Sequence, residues 1–260
     1  MLLAIDVGNT NIVLGVFQGD RLTQSWRLLT VRERTADELG VFVTQLLERS
    51  GIDHRQLTGI ILASVVPPLT RTVEEMCVQY FDRQPFTVDA GSNTGMPVLY
   101  QPPSDVGADR VVNGVAAYEQ FGRATSTPII CVDFGTATTF DAITKRGEYL
   151  GGVICPGIGI SADALFQRAA RLPRVDVRKP AAVIGNTTVT SMQSGLFFGY
   201  VAMVDGIVNR MREELEDGAR ALCLGTGGMA EVIAAETRTI QRVEPDLTLQ
   251  GLRIIWQRQK

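Results

Sequence analysis

Residues 2–17 read LLAIDVGNTNIVLGVF. Apolar side chains run unbroken to one acid, Asp6, pass through a Gly-Asn-Thr turn, and resume as a second apolar run without helical spacing. Two short apolar runs flanking a turn predict a pair of buried strands. A carboxylate ending a buried strand is costly unless a cation, hydrogen-bond donors or solvent meets it. The amides and hydroxyls of Gly8, Asn9, Thr10 and Asn11 then form a polar cradle suited to phosphate oxygens. For one such unit alone, an Asx-turn without a ligand is the plain alternative. A second unit weakens that alternative: residues 131–144 read CVDFGTATTFDAIT and repeat the plan with Asp133, Gly135, Thr136 and Thr138. Asp6 and Asp133 stand 127 positions apart in a chain of 260, about half its length, which predicts an internal duplication.

The bulk properties bound what the two units can serve. A chain of this length buries a proper core as one large domain or two halves. A net charge of -3 provides no field to hold nucleic acid. No apolar run approaches the roughly 20 residues that span a bilayer, and no leader-like segment opens the chain, so the sequence predicts a cytoplasmic protein. Cys77, Cys131, Cys155 and Cys223 are widely spaced in apolar surroundings, which predicts reduced core thiols rather than a disulfide framework or a metal pair. The single histidine, His54, lies in the polar turn GIDHRQ and reads as surface, which removes most histidine-dependent catalysis.

Outward from the first hairpin, DRLTQSWRL reads as a third antiparallel strand after the Gly19-Asp20 turn. Thr35 and Glu38 have capping-box spacing ahead of a helix bearing Leu39, Phe42, Val43, Leu46 and Leu47, closed by Gly51. TGIILASVV is a buried strand stopped by Pro67-Pro68, LTRTVEEMCVQYF a helix, and PFTVDA a further strand. The Gly- and Pro-rich stretch NTGMPVLYQPPSDVGADR predicts a long surface loop, and loops of that length are often functional. RVVNGVAAYEQFG reads as helical, YLGGVIC as a strand, ISADALFQRAARL as a helix and 189–215 as a long helix. ALCLGTGG is a last strand feeding a helix, with TRTIQRV and LTLQGLRIIWQRQ closing the chain. The predicted fold class is α/β, with two similar lobes at 1–122 and 123–260, each a mixed sheet opened by a hairpin and flanked by helices.

Glycine loops narrow the chemistry. The P-loop signature GxxxxGK[ST] does not occur. Two stretches fit the loose pattern GxGxxA, at Gly157-Gly159-Ala162 and Gly225-Gly227-Ala230, and Glu244 follows Gly225 by 19 residues. A dinucleotide fold needs ample chain after its first loop, and only 35 residues follow Gly225. The paired acid hairpins with the late GTGG loop instead predict a nucleotide held between two lobes, with the acids organising Mg2+ and phosphates.

These hairpins resemble the phosphate loops of the superfamily that joins actin, sugar kinases and heat-shock ATPases. More narrowly, the chain resembles the type III pantothenate kinases, also called the Bvg accessory factor family. DVGNTN, SVVPP, GADR, VDFGTATT, GGVICPGI, GNTTVTSMQSG and LGTGG appear in the expected order over nearly the whole length. The resemblance implies the actin-like, ribonuclease H-like fold and transfer of the ATP γ-phosphate to the primary hydroxyl of pantothenate, the first step towards coenzyme A. It assigns ATP with Mg2+ to Asp6, Val7, Gly8, Asn9, Thr10, Asn11, Ile12 and Val13, and an ATP phosphate to Thr136. It assigns a K+ or NH4+ ion to Asp133. Tyr100, Gly107, Ala108, Asp109, Arg110 and Thr188 would bind pantothenate, with Asp109 as general base and Arg110 orienting the acceptor. An acceptor carboxylate near the alcohol suffices for phosphoryl transfer. Capping of the helix from Arg110 is the structural role Asp109 could also have. IGNTT departs from the family pattern, which has Lys before Asn-Thr, and Thr188 is preferred over Thr187 because Val189 then aligns. Other readings are a kinase for a different small alcohol or sugar, and a regulator that binds ATP without transferring it.

In the long helix, Gly195, Gly199, Ala202 and Gly206 form a stripe of small residues, while Leu196, Phe197, Phe198, Val201, Met203 and Val204 crowd the other faces. Each helical Gly costs about 1 kcal/mol relative to Ala, so the stripe predicts close approach of another backbone. A helix of the same chain could supply it; a C2 homodimer, to which the family resemblance also points, is the expected partner.

Overall fold

The computed structural model describes residues 1–89 and 91–259. The chain forms two compact units, Met1–Ala116 with the segment from Asp246 onward, and Ala117–Pro245.

In the first unit β1 (Leu2–Val7) pairs antiparallel with β2 (Asn11–Gln18), which pairs with β3 (Arg21–Leu29). On its other side β1 runs parallel to β4 (Gly59–Ser64), followed by β5 (Phe86–Thr87), giving the order β3-β2-β1-β4-β5. β1 is therefore central and covered on both faces, which is why its apolar run does not alternate. Helix α1 (Ala36–Arg49) starts at the expected capping box: Thr35 N–H donates to Glu38 Oε2 at 2.8 Å, and Glu38 N–H donates to Thr35 Oγ1 at 3.2 Å. Pro67 and Pro68 open α2 (Pro67–Phe81) as well as ending the strand region, since the first helical turn needs no donor from them. Leu39, Val43 and Leu47 of α1 join Leu69, Val73 and Met76 of α2 in the core over Ile5, Ile12 and Leu62.

The predicted strand PFTVDA is shorter than expected, because only Ile61 and Leu62 offer β5 a partner; Ala90, at its predicted end, lies outside the described residues. The long loop is also less superficial than expected, since Thr94, Met96 and Val106 are buried. Helix α3 (Ala108–Ala117) follows it.

The last helix, α7 (Leu247–Arg258), groups with the first unit, whereas its place in sequence put it in the second lobe. Two glycines explain this. A Cβ on Gly59 would collide with the Trp256 ring, and one on Gly15 would stand 2.8 Å from Leu249 Cδ1. Strands β4 and β2 thus leave room for Trp256 and Leu249 of α7.

The second unit repeats the plan. Its strands are β6 (Ile129–Phe134), β7 (Ala137–Ile143), β8 (Tyr149–Pro156), β9 (Leu222–Gly227) and β10 (Arg242–Val243), in the order β10-β9-β6-β7-β8. As in the first unit, a three-stranded antiparallel meander is extended by two parallel strands beside its first strand. The duplication inferred from the two acids is therefore present in the topology. The helices are α4 (Ile158–Arg168), α5 (Thr188–Glu214) and α6 (Ala230–Ala234). Phe197, Tyr200, Val204 and Val208 of α5 pack on Val132, Phe134 and Phe140 of the sheet. Cys77, Cys131 and Cys223 are buried free thiols, and Cys155 is partly buried. Among the described residues no helix is long and apolar enough to cross a membrane.

Candidate functional site

Asp6 is the penultimate residue of β1, opposite Val13 on β2 and Ala63 on β4. The turn after it is closed by Gly8 N–H donating to the Asn11 carbonyl at 3.0 Å. Thr30, just past β3, clamps the same turn: its N–H donates to the Thr10 carbonyl at 2.9 Å and its hydroxyl to the Gly8 carbonyl at 2.7 Å. With both carbonyls held from the side, Asn9 and Thr10 remain exposed. Val7 and Ile12 are core residues, so only their backbone can face a ligand. Asp6, Gly8, Asn11 and Val13 are half-buried around the turn. Thr30 was not singled out from the sequence, because its role depends on the pairing of β2 with β3.

In the second unit Asp133 occupies the matching place, opposite Thr139 on β7 and Thr226 on β9. Gly135 N–H donates to the Ala137 carbonyl at 3.0 Å, closing a turn one residue shorter than the first. Thr136 is exposed at its tip, and its carbonyl accepts from Gly157 N–H at 3.1 Å. Gly157 precedes α4, and a Cβ there would collide with the Thr136 carbonyl oxygen. The first glycine of the GxGxxA pattern is thus explained by helix-to-turn packing, whereas a Cβ on Gly159 would meet nothing within 4 Å among the described residues. Gly227, at φ +89°, has a second reason to be glycine: a Cβ would stand 2.5 Å from Asp133 Oδ1. Burial and the nearby Asp141 and Asp133 carboxylates push the Cys131 thiol well up, so it is inert as a nucleophile.

The third group belongs to the first unit. Gly107, Ala108, Asp109 and Arg110 form the entry to α3, which begins at Ala108, so Asp109 lies inside the first turn and does not have the alternative role of helix cap. Arg110 N–H donates to Asp109 Oδ1 at 2.8 Å and to the Gly107 carbonyl at 3.1 Å. Burial pushes the Asp109 carboxyl up, outweighing that backbone hydrogen bond and the Arg110 charge. A carboxylate raised in this way is a stronger proton acceptor than an ordinary surface Asp. Arg110 itself is buried, and Tyr100 is half-exposed in the preceding loop.

Thr188 is the first residue of α5. Its neighbour Thr187 is the cap: Thr190 N–H donates to Thr187 Oγ1 at 3.1 Å, and the two hydroxyls lie 2.9 Å apart. Both threonines line a groove of about 890 Å³ with Leu165, Met192, Gly195 and Leu196. Among the described residues no group of three or more His, Cys, Asp or Glu is placed to hold a metal. Mg2+ usually keeps several waters and is held by one or two carboxylates with substrate phosphates. A single strand-end carboxylate such as that of Asp6 fits that mode.

Residues 2–210 match the profile of the type III pantothenate kinases. The chain is 52% identical over 258 residues to the type III pantothenate kinase of Moorella thermoacetica, covering 99% of each protein. It is 51% identical over 260 residues to that of Geobacter sulfurreducens, covering 100% of each. Among solved structures it is similar in fold to a Campylobacter jejuni protein described as a Baf family transcriptional activator, with TM-score 0.61 at 18% identity, covering 99% of this chain and 98% of that one. It is also similar to the inorganic polyphosphate/ATP-glucomannokinase of Arthrobacter sp. strain KM, with TM-score 0.53 at 15% identity and 98% of each chain covered.

Proposed function

Because the chain belongs to the type III pantothenate kinase family, we propose specific roles for its residues in the phosphorylation of pantothenate. The protein is a kinase of coenzyme A biosynthesis that uses ATP with a divalent metal and converts pantothenate to 4'-phosphopantothenate.

Asp109 is the general base. It accepts the proton of the primary hydroxyl as that oxygen attacks the γ-phosphorus and the β–γ bridging oxygen leaves with ADP. The raised carboxyl, set by burial in the first turn of α3, is the observation that carries this role. Tyr100, Gly107, Ala108 and Arg110 bind the acceptor, the guanidinium orienting it. Thr188 contributes its hydroxyl, since that of Thr187 is committed to the helix cap.

The first hairpin receives the nucleotide. Asp6 with the backbone of residues 7–13 takes phosphate oxygens and the divalent ion, and Thr136 of the second hairpin takes a further phosphate oxygen. Bound Mg2+ supplies neutralisation of charge developing on the phosphates. Asp133 holds a monovalent cation, K+ or NH4+. The strand-end carboxylate and the space that only a glycine at 227 leaves beside it support that assignment.

The active species is a homodimer built on α5. Gly195, Gly199, Ala202 and Gly206 are exposed on one stripe, and a Cβ on any of the three glycines would meet nothing within 4 Å among the described residues. A helix of the same chain therefore does not account for them, which supports a second copy as the partner. The acceptor groove containing Thr188 adjoins the stripe at Gly195.

Incubation with labelled ATP, Mg2+ and pantothenate yields labelled phosphopantothenate, and a panel of other small alcohols yields far less. Label released as phosphate without phosphopantothenate, or equal transfer to sugars, would overturn the assignment.

A further inference from the structure

Residues 93–113 carry the proposed acceptor-binding groups Tyr100, Gly107, Ala108, Asp109 and Arg110, and this inference rests on that assignment. Both ends of the segment are tied to one helix. At the first end Arg258 Nη1, in the last turn of α7, donates to the Thr94 carbonyl, and Gln259 Nε2 just beyond donates to the Asn93 carbonyl at 2.8 Å. Gly95, at φ +72°, is pressed against the same guanidinium: a Cβ there would stand 2.5 Å from Arg258 Nη1. The loop also bonds to itself at this point. Gly95 N–H donates to Asn93 Oδ1 at 3.2 Å, and Met96 N–H to Thr94 Oγ1 at 3.3 Å. At the other end Thr248 Oγ1 donates to Asn113 Oδ1 at 2.7 Å, and a Cβ on Gly251 would collide with the Val112 carbonyl.

Helix α7 is itself seated on the sheet through Leu249 against Gly15 and Trp256 against Gly59. It therefore references the acceptor segment to the strands that carry the Asp6 turn, all within the first unit. We propose that Arg258 and Gln259 are positioning residues for the acceptor alcohol, acting through Thr94 and Asn93 to hold the 93–107 loop in its binding conformation. A loop released from that end must be ordered anew at each binding event, and the entropy then lost is subtracted from acceptor affinity. Nucleotide binding at the Asp6 turn, which has its own clamp in Thr30, is not subject to that loss.

The experiment compares Arg258→Ala, Arg258→Lys, Gln259→Ala and Tyr100→Ala in the full chain. Calorimetric Kd for pantothenate, KM for pantothenate and for ATP, and thermal midpoint are measured on each. Arg258→Ala raises the pantothenate Kd and KM about tenfold while the ATP KM stays within about twofold. Arg258→Lys, which keeps a donor for the Thr94 carbonyl, recovers part of the loss, and Gln259→Ala shows a smaller rise of the same selectivity. An unchanged pantothenate constant in Arg258→Ala, with a raised one in Tyr100→Ala, overturns the inference and leaves the acceptor assignment standing. An unchanged constant in Tyr100→Ala removes the assignment and the inference with it. Equal rises in both substrates' constants mean general loss of structure and also overturn it. Should Arg258→Ala not fold, Gln259→Ala decides by the same comparison, a pantothenate-selective rise supporting and no rise overturning.

Discussion

A Cβ on Gly107 would stand 2.6 Å from Asp109 Oδ1, so the carboxylate occupies the space that any other residue at 107 would need. The obstructing atom is the end of a side chain, which can rotate where backbone cannot. Gly107→Ala therefore keeps the fold and moves the carboxylate. A displacement of about 1 Å at a reacting group can cost about 100-fold in rate, so kcat/KM for pantothenate falls by about that factor while the thermal midpoint changes little. Steady-state kinetics and a melting curve on one preparation check this; full activity would show that Asp109 does not need its observed position.

Asp109→Asn keeps the shape and the hydrogen bond from Arg110 N–H but removes the proton acceptor. Loss of a general base costs about 10² to 10⁴ in kcat. A kcat within a few-fold of the parent would remove Asp109 from the base role.

The same substitution has an opposite effect on stability. Burial raises the Asp109 carboxyl above its ordinary 3.8, so the folded protein binds that proton more tightly than the unfolded chain does. The stabilisation this confers is complete below 3.8 and is lost as pH rises through the folded value. At neutral pH Asp109→Asn is therefore more heat-stable than the parent, and the difference closes as pH falls through the raised folded value towards 3.8. Melting curves across that range test it. The acid limb of kcat/KM in the parent lies above 3.8 for the same reason.

Activity in K+ or NH4+ exceeds that in Na+ sharply at matched ionic strength if Asp133 holds the monovalent ion. Gly227→Ala puts a methyl beside Asp133 Oδ1 at a positive φ of 89°. It abolishes the salt discrimination and costs about 1 kcal/mol or more of stability. Equal rates in all three salts for the parent would count against the site.

Gly199→Leu projects a side chain from the open stripe of α5, where a Cβ at 199 finds nothing within 4 Å among the described residues. The variant folds, sediments as a monomer and loses activity. A folded monomer with full activity, parent or variant, would separate catalysis from dimerisation.

Much of the local structure that carries the candidate site was legible in the sequence because its signals are local. The run-acid-turn-run pattern at Asp6 and Asp133, the Thr35–Glu38 capping box, the long α5 helix and the GADR entry to α3 each depend on neighbours within a few residues. Periodicity and turn chemistry act at that range. Thr30, Gly227 and Arg258 carry no such mark. Thr30 meets the Asp6 turn only through β3 pairing, Gly227 meets Asp133 only through the parallel register of β9 on β6, and Arg258 reaches Thr94 across 164 positions.

By itself the sequence determined the duplicated hairpin unit, the identity of the two strand-end acids and the acid-arginine pair that falls in the first turn of α3. It did so because a strand or turn is specified by the spacing of its own side chains. Only the tertiary structure decided that α7 belongs with the first unit, that PFTVDA shortens to β5, and which glycines exist for contact rather than for turning. Those outcomes depend on which surfaces meet. Complementarity such as Trp256 against Gly59 arises between residues far apart in the chain, where no sequence period records it.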